Sequence, residues 1–194
     1  MIVPSKSFLK TALVRIFIFS FLVIQAAQSM PAQIVLIRHG EKPETGDELS
    51  TQGWARAQAL PELFKRPEFN QFGDPAALYA MNKKGKNGSI RAIQTLEYVS
   101  QVFNLALNTD YTKDQVADLV KDIEKNDKYD GKMIVICWEH KVLIDIAMEF
   151  GLKQPVSWPA EQFDRAWILD FTPTGQLQKF RDLPQKLLPL DSEI

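Results

Sequence analysis

Ile34-Val-Leu-Ile-Arg-His-Gly-Glu-Lys-Pro43 is a short apolar run that changes abruptly into polar residues. Its four apolar residues, most of them β-branched, predict a strand that is buried on both faces. Ligands of open α/β sheets bind beyond the carboxyl ends of such strands, which is where Arg38, His39 and Gly40 fall. A cation, an imidazole and a glycine that lets backbone approach closely are suited to an anion. The pattern therefore predicts an anion-binding site at this strand end.

The chain has only two histidines, and the second one also follows an apolar, strand-like run. His140 ends the segment Lys132-Met-Ile-Val-Ile-Cys-Trp-Glu-His140. One histidine after a strand is more often a packing residue, but two in the same position favour neighbouring strand ends and one shared pocket. We therefore expect His39 and His140 to lie close together.

Residues 1–29 have the pattern of a secretory signal peptide. Lys6, Lys10 and Arg15 precede an apolar run over 16–24, and Ala27-Gln-Ser29 supplies small residues at the two positions that a signal peptidase reads. The apolar run is short for a membrane span, so an uncleaved anchor is the less favoured alternative. We predict a secreted or periplasmic protein, with membrane contact only through this segment during export, and a single domain over residues 30–194.

The composition is that of an ordinary globular domain, with 45% hydrophobic and 24% charged residues among 194. Residues 1–29 hold three of the 23 basic residues and none of the 24 acidic ones, so the remainder has a net charge of −4. This balance gives no support to nucleic-acid binding, which needs a basic surface. The single cysteine, Cys137, cannot form an internal disulfide and lies within an apolar strand, so we expect it to be buried and inert.

Strand and helix patterns alternate along the rest of the chain and end in a hairpin. Apolar spacing of three and four residues predicts helices from Ser50 or Thr51 to Phe64, over Arg91–Phe103, over Asp114–Ile123, and after His140 as far as Gly151. Extended segments are predicted over 76–81, 105–108 and 132–140, and a strand–turn–strand hairpin over 165–180. This order predicts an α/β fold: three α/β/α layers around a mostly parallel central sheet, with an antiparallel C-terminal hairpin at its edge.

The start of the predicted helix at Arg91 is a second candidate for anion binding. Ser89 is a suitable N-cap, which places Arg91 in the first turn beside free backbone N–H groups. The lysines at 83, 84 and 86 precede it. They could steer an anionic substrate, although a lysine-rich loop is more often simply solvated.

Three motifs together resemble the histidine phosphatase superfamily, also called phosphoglycerate-mutase-like. They are Arg38-His39-Gly40-Glu41, Ser89-Ile-Arg91-Ala-Ile-Gln94-Thr95 and the strand-terminal His140. The first tripeptide alone is a weak signal, but the set is specific and covers nearly all of residues 30–194 in the right order. The Arg-His-Gly-Glu-Lys-Pro variant resembles the small extracytoplasmic members of branch 1. The resemblance implies the phosphoglycerate mutase-like fold.

The resemblance also implies a metal-independent phosphomonoester hydrolase without a cofactor. His39 would be the nucleophile and form a phosphohistidine, while Arg38, Arg91 and His140 would hold the phosphoryl oxygens. Two arginines and two histidines supply enough charge for this chemistry, and a zinc site is not expected with so few ligands.

Two carboxylates have roles that the motifs leave open. Glu41 is expected to bind substrate at the mouth of the loop, with proton transfer as its alternative role. No residue matches the family's proton donor cleanly. Asp110 is our tentative candidate, with Glu139 and Asp114 behind it.

The function has two alternatives. Many relatives have a small or polar residue after the second histidine, whereas Lys141 follows it here and Trp138-Glu139 precede it. A catalytically weak phosphate-binding module is therefore one alternative, and a phosphomutase is the less favoured second. The expected partner is a small phosphorylated substrate or a phosphoprotein, whose identity depends on loops 41–49, 67–75, 82–89 and 152–163.

Overall fold

The structure of the chain is a computed structural model that describes residues 30–85 and 88–193. The predicted signal peptide over residues 1–29 and the lysine at position 86 lie outside the described residues. Within the described ranges, no helix is both long enough and apolar enough to cross a membrane.

Over residues 30–85 and 88–193, six strands and four α-helices alternate as far as the last two strands, which follow each other directly. They are β1 (Gln33–Arg38), α1 (Thr51–Ala59), β2 (Pro75–Ala80), α2 (Arg91–Phe103), β3 (Leu107–Asn108), α3 (Val116–Lys125), β4 (Met133–Trp138), α4 (His140–Glu149), β5 (Arg165–Phe171) and β6 (Leu177–Pro184). Short 3-10 turns cover Leu60–Lys65 and Asp127–Tyr129.

The strands form one mixed sheet in the order β3-β2-β4-β1-β5-β6. The first four are mutually parallel, and β5 and β6 form the antiparallel hairpin at the edge. The connections through α1 and α2 lead one way along the sheet, and those through α3 and α4 lead the other way. Because crossovers between parallel strands are right-handed, α3 lies on the face opposite α1 and α2, and α4 packs beside α3. The predicted three-layer architecture and its edge hairpin are confirmed.

The core is centred on β1 and β4, whose residues are all buried. Helices on both faces leave no solvent side for these strands, which explains their continuous apolar runs. Cys137 lies within β4 and is fully buried, as predicted. Burial raises the pKa of its thiol, so the thiolate is disfavoured.

Several boundaries differ from the predictions. The first helix begins as predicted, with the Ser50 side chain accepting a hydrogen bond of 3.1 Å from the Gly53 N–H, but it ends at Ala59. A 3-10 turn containing Pro61 replaces the rest, since proline has no N–H to continue an α-helix. The third helix begins at Val116 rather than Asp114.

Candidate active site

The carboxyl ends of β1 and β4 bring the two histidines to one place. The two strands are parallel neighbours with Arg38 opposite Trp138, and the His39 N–H donates to the Trp138 carbonyl over 3.0 Å. His140 lies two residues further on, as the first residue of α4. The chain leaves β1 and β4 in opposite directions along the sheet, which is the arrangement at which ligands bind in open α/β sheets. The predicted neighbouring strand ends are confirmed.

His39 is a buried, neutral imidazole with one nitrogen held by the backbone. The residue is only 6% exposed, and its Nδ1 atom is 2.8 Å from the Gly40 carbonyl oxygen. A carbonyl can only accept, so Nδ1 carries the hydrogen and Nε2 keeps its lone pair. Burial lowers the pKa of His39 to about 4; the hydrogen bond to Gly40 opposes this, and the positive charge of Arg38 adds to it. The ring is therefore an uncharged potential nucleophile at neutral pH.

Arg38 directly precedes His39 and is fixed by the loop over residues 152–163. One of its terminal nitrogens donates to the carbonyls of Ala160 and Gln162, over 2.5 and 2.9 Å. The guanidinium carbon lies 3.6 Å from the centroid of the Phe163 ring, a close cation–π contact. Its buried Nε has no hydrogen-bond partner among the described residues. Burial lowers the pKa of Arg38 to about 10, so the group stays charged at neutral pH.

Arg91 opens α2, as predicted, although the capping differs. Ile90 occupies the N-cap position, while the Ser89 hydroxyl accepts a 3.3 Å hydrogen bond from the Arg91 N–H. The Arg91 guanidinium donates through Nε to the Glu48 carbonyl over 2.8 Å and also to the Gly46 carbonyl. Its positive charge contributes to lowering the pKa of His39. Arg91 thus links the predicted anion site to loop 41–49.

His140 is more open than His39. The residue is partly exposed, and its position at the start of α4 places it beside free backbone N–H groups. Burial lowers the pKa of His140 below its usual value, and the charge of Arg38 adds to the effect. The positive charges of Arg38, Arg91 and His140 act on His39, and that of Arg38 also acts on His140. We call these four residues the histidine cluster, and their role in binding an anion stays a prediction.

The Glu41 side chain forms a buried ion pair with Arg56. Both of its carboxylate oxygens accept from Arg56, with a shortest distance of 2.7 Å. Arg56 is 2% exposed and also donates to Asp191 over 2.7 and 2.9 Å and to Gln185 over 3.2 Å. These hydrogen bonds raise the pKa of Arg56 even though burial acts to lower it. Glu41 therefore ties the loop after His39 to the C-terminal segment, and its part in substrate binding stays a prediction.

Small and polar residues fix the backbone at Gly40. A Cβ atom at Gly40 would lie 3.0 Å from the Gly53 carbonyl oxygen, and one at Gly53 would lie 2.4 Å from that of Glu41. Glycine is therefore required at position 53 by the close approach of α1 to this loop, and a side chain at position 40 would be crowded. The Gly40 N–H donates to the Thr95 hydroxyl over 2.8 Å, and that hydroxyl donates to the Arg91 carbonyl over 2.7 Å. The second motif thus holds the first in place.

Solved structures with the same architecture are known. The chain is similar to the protein histidine phosphatase SixA in its complex with tungstate, with a TM-score of 0.54 and 14% identity over 79% of this chain and 97% of that one. It is also similar to phosphoglycerate mutase from Plasmodium falciparum, with a TM-score of 0.52 and 15% identity over 82% and 95%. This is the fold of the histidine phosphatase superfamily. No family model and no curated protein matches the sequence.

Within this histidine phosphatase fold, the three candidate proton donors occupy different places. Asp110 is exposed and follows β3, so two strands separate it from β1. Asp114 forms an ion pair with Lys84 at the surface. Glu139 directly precedes His140 and, of the three, is the one adjacent in sequence to the histidine cluster. The donor role of Asp110 stays a prediction, and Glu139 is its best-placed competitor.

Sequence patterns did not reveal the residues that support the histidine cluster from a distance. Arg56 contacts a residue 135 positions away, and the carbonyls that hold Arg38 lie more than 120 positions from it. The sequence Gly53-Trp-Ala-Arg56 inside a predicted helix was the available signal, because it places an arginine on a largely apolar helix face.

Among the described residues, no group of three or more histidine, cysteine or acidic side chains could hold a metal ion.

Proposed function

We propose that this chain hydrolyses phosphomonoesters through a phosphohistidine formed on His39. The observation that carries the proposal is the state of His39: a buried neutral ring whose Nδ1–H is held by the Gly40 carbonyl, leaving Nε2 unprotonated. A neutral imidazole with a free lone pair is a competent nucleophile toward phosphorus. The surrounding Arg38, Arg91 and His140 supply the positive charge that the transferring phosphoryl group requires.

The first step is an in-line displacement at phosphorus. The Nε2 lone pair of His39 forms the N–P bond while the P–O bond to the alcohol breaks, and the departing oxygen takes a proton from a nearby acid. The new positive charge on the ring is stabilised through Nδ1–H and the Gly40 carbonyl. Because Thr95 and the Glu41–Arg56 ion pair fix the backbone on either side of this carbonyl, the ring is held ready for attack.

The second step returns the enzyme to its starting state. A water molecule attacks phosphorus and gives a proton back to the group that donated one in the first step, the N–P bond breaks, and its electron pair returns to Nε2 as inorganic phosphate forms. Arg38 and Arg91 remain charged throughout, so they stabilise both transition states without exchanging protons. A protonated His140 would donate a hydrogen bond to a third phosphoryl oxygen.

The proposed substrate is a small phosphorylated compound or a phosphoprotein outside the cytoplasm. The exported location depends on the signal-peptide pattern of residues 1–29 and stays a prediction. Loops 41–49 and 152–163 contact Arg91 and Arg38, so these two specificity loops border the phosphoryl site directly.

Turnover of p-nitrophenyl phosphate by the full chain tests the proposal. We expect activity that survives EDTA and is lost in His39→Ala, with Lys128→Ala, an exposed lysine at the other end of the sheet, as the unaffected control. Vanadate binding with no turnover would instead favour the phosphate-binding module. Transfer of the phosphoryl group to a second alcohol in preference to water would favour the phosphomutase.

A further inference from the structure

A cleft of about 310 Å³ opens beside the carboxyl ends of β2 and β4. Three lysines and one carboxylate line it together with short polar residues: Lys83, Lys84, Lys113, Glu139, Asn82 and Ser89. We call it the lysine cleft. It adjoins the histidine cluster, because Glu139 directly precedes His140 and Ser89 accepts the hydrogen bond of the Arg91 N–H.

Backbone pairing brings the lysines of this cleft together from two separate segments. Asn82 forms an isolated β-bridge with Thr112, and its N–H donates to the Tyr111 carbonyl over 2.8 Å. Lys83 and Lys113 directly follow the two bridged residues. The fold therefore brings two lysines from separate segments into the lining of one cleft, an arrangement that a merely solvated loop does not need.

The lysines of the cleft outnumber its carboxylate, and their ion pairs are exposed. Lys84 pairs with Asp114, and Lys113 lies 4.0 Å from Glu139, but Lys83 has no carboxylate within 4.0 Å in residues 30–85 and 88–193. The side chains of Lys84 and Lys113 are 66% and 46% exposed. Exposed pairs of this kind are weak, so an incoming anion can displace them at little cost.

We infer that the lysine cleft binds a second anionic group of the substrate, such as another phosphate or a carboxylate, while the histidine cluster holds the phosphoryl group that is transferred. This inference rests on the proposed function, since it places the two groups on one molecule. It narrows the substrate class to phosphomonoesters that carry a further negative charge. Simple monoesters would occupy only half of the site.

Calorimetric titration of the full chain with methylphosphonate and with a series of alkane bisphosphonates of increasing length tests the inference. We expect at least one bisphosphonate to bind about tenfold more tightly than methylphosphonate, because charge-assisted contacts in the cleft add to those at the histidines. The preference should fall to about twofold, the statistical advantage of two equivalent ends, in the variant Lys83→Ala with Lys113→Ala. Lys128→Ala should retain the full preference.

A wild-type chain that shows no preference beyond about twofold at any length would overturn the inference, as would a preference that persists in the double variant with circular dichroism unchanged. Turnover of p-nitrophenyl phosphate, measured alongside, reports on the proposed function separately. Turnover without a bisphosphonate preference rejects only the lysine cleft. Preference without turnover rejects only hydrolysis.

Discussion

His39 and His140 follow neighbouring parallel strands, yet their surroundings differ. His39 is buried and is fixed by the Gly40 carbonyl, and its pKa is lowered to about 4. His140 begins a helix and is partly exposed, and its side chain makes no hydrogen bond among the described residues. The difference indicates a division of labour: a rigid, deprotonated ring is suited to attack, and an open ring that can take up a proton is suited to stabilising charge.

The residues that hold His39 in place also differ from the residues beside His140, which face solvent. The backbone at His39 is supported by buried or partly buried groups: the Thr95 hydroxyl, Gly40 packed against Gly53, and the Glu41–Arg56 ion pair. Beside His140 lie the solvent-facing lysine cleft and Glu139. Under the proposed function, one side of the site positions the reacting ring and the other contacts the substrate.

The largest effect is expected from removing the proposed nucleophile. His39→Ala should lower kcat/KM for p-nitrophenyl phosphate by about 10⁴-fold or more, because the covalent route is lost entirely. Steady-state kinetics measures this, with vanadate binding as evidence that the site is still formed. Residual activity within about tenfold of wild type would break the proposed division between the histidines.

A smaller loss is expected at the second histidine. His140→Gln should lower kcat by about 10²-fold, since the substitution removes one charged donor to the phosphoryl group but keeps the nucleophile. Rapid-quench measurements should still detect a phosphoenzyme in this variant. Its absence there, with a normal level in wild type, would reverse the two roles.

The pH dependence of kcat/KM should show the protonation of both His39 and His140. As the pH falls through about 4, His39 gains a proton and loses its lone pair, so kcat/KM should decline on the acid side. As the pH rises through the pKa of His140, which lies below the usual 6.5, the free enzyme loses the imidazolium and kcat/KM should decline again. His140→Gln should abolish the second decline and leave the first. A profile unchanged by that substitution would contradict the assignment.

Removal of Arg56, which supports the loop after His39, should change the free energy of unfolding more than the activity. Arg56→Ala leaves the buried carboxylates of Glu41 and Asp191 without their partner, so we expect a loss of about 3 kcal/mol in the free energy of unfolding. Activity should fall by about tenfold through misplacement of the Gly40 carbonyl. Urea denaturation measures the first quantity. Arg165→Ala, which removes a more exposed pair with Asp182, is the matched control and should cost under about 1 kcal/mol.

The smallest effects should distinguish the proton donors. Glu139→Gln is expected to lower turnover of alkyl phosphates by about tenfold and that of p-nitrophenyl phosphate far less, because a good leaving group needs no proton. Asp110→Asn should change either rate by less than about twofold. The opposite order would restore Asp110 as the donor.

Local patterns predicted much of the fold and part of the site. The apolar runs of β1 and β4 were recognisable because both faces of these strands are buried, and their polar endings marked the positions of His39 and His140. The boundary at Pro61 was missed because apolar spacing continued through it, although the proline itself prevents a continuous α-helix.

Contacts between distant segments could not be predicted in this way. The partners of Arg56 and Arg38 lie on irregular segments whose side chains follow no period, so nothing local indicates which residues they meet. The isolated bridge that aligns Lys83 with Lys113 is of the same kind. These contacts depend on the tertiary packing that the strands impose.

Mapping the phosphorylated residue after rapid quenching tests the central claim most directly. Wild-type enzyme mixed with excess substrate, quenched at alkaline pH and digested should yield an acid-labile phosphate on the peptide that contains His39. The peptide that contains His140 should be unmodified. Phosphate on His140, or turnover with no phosphohistidine at any quench time, would contradict the account.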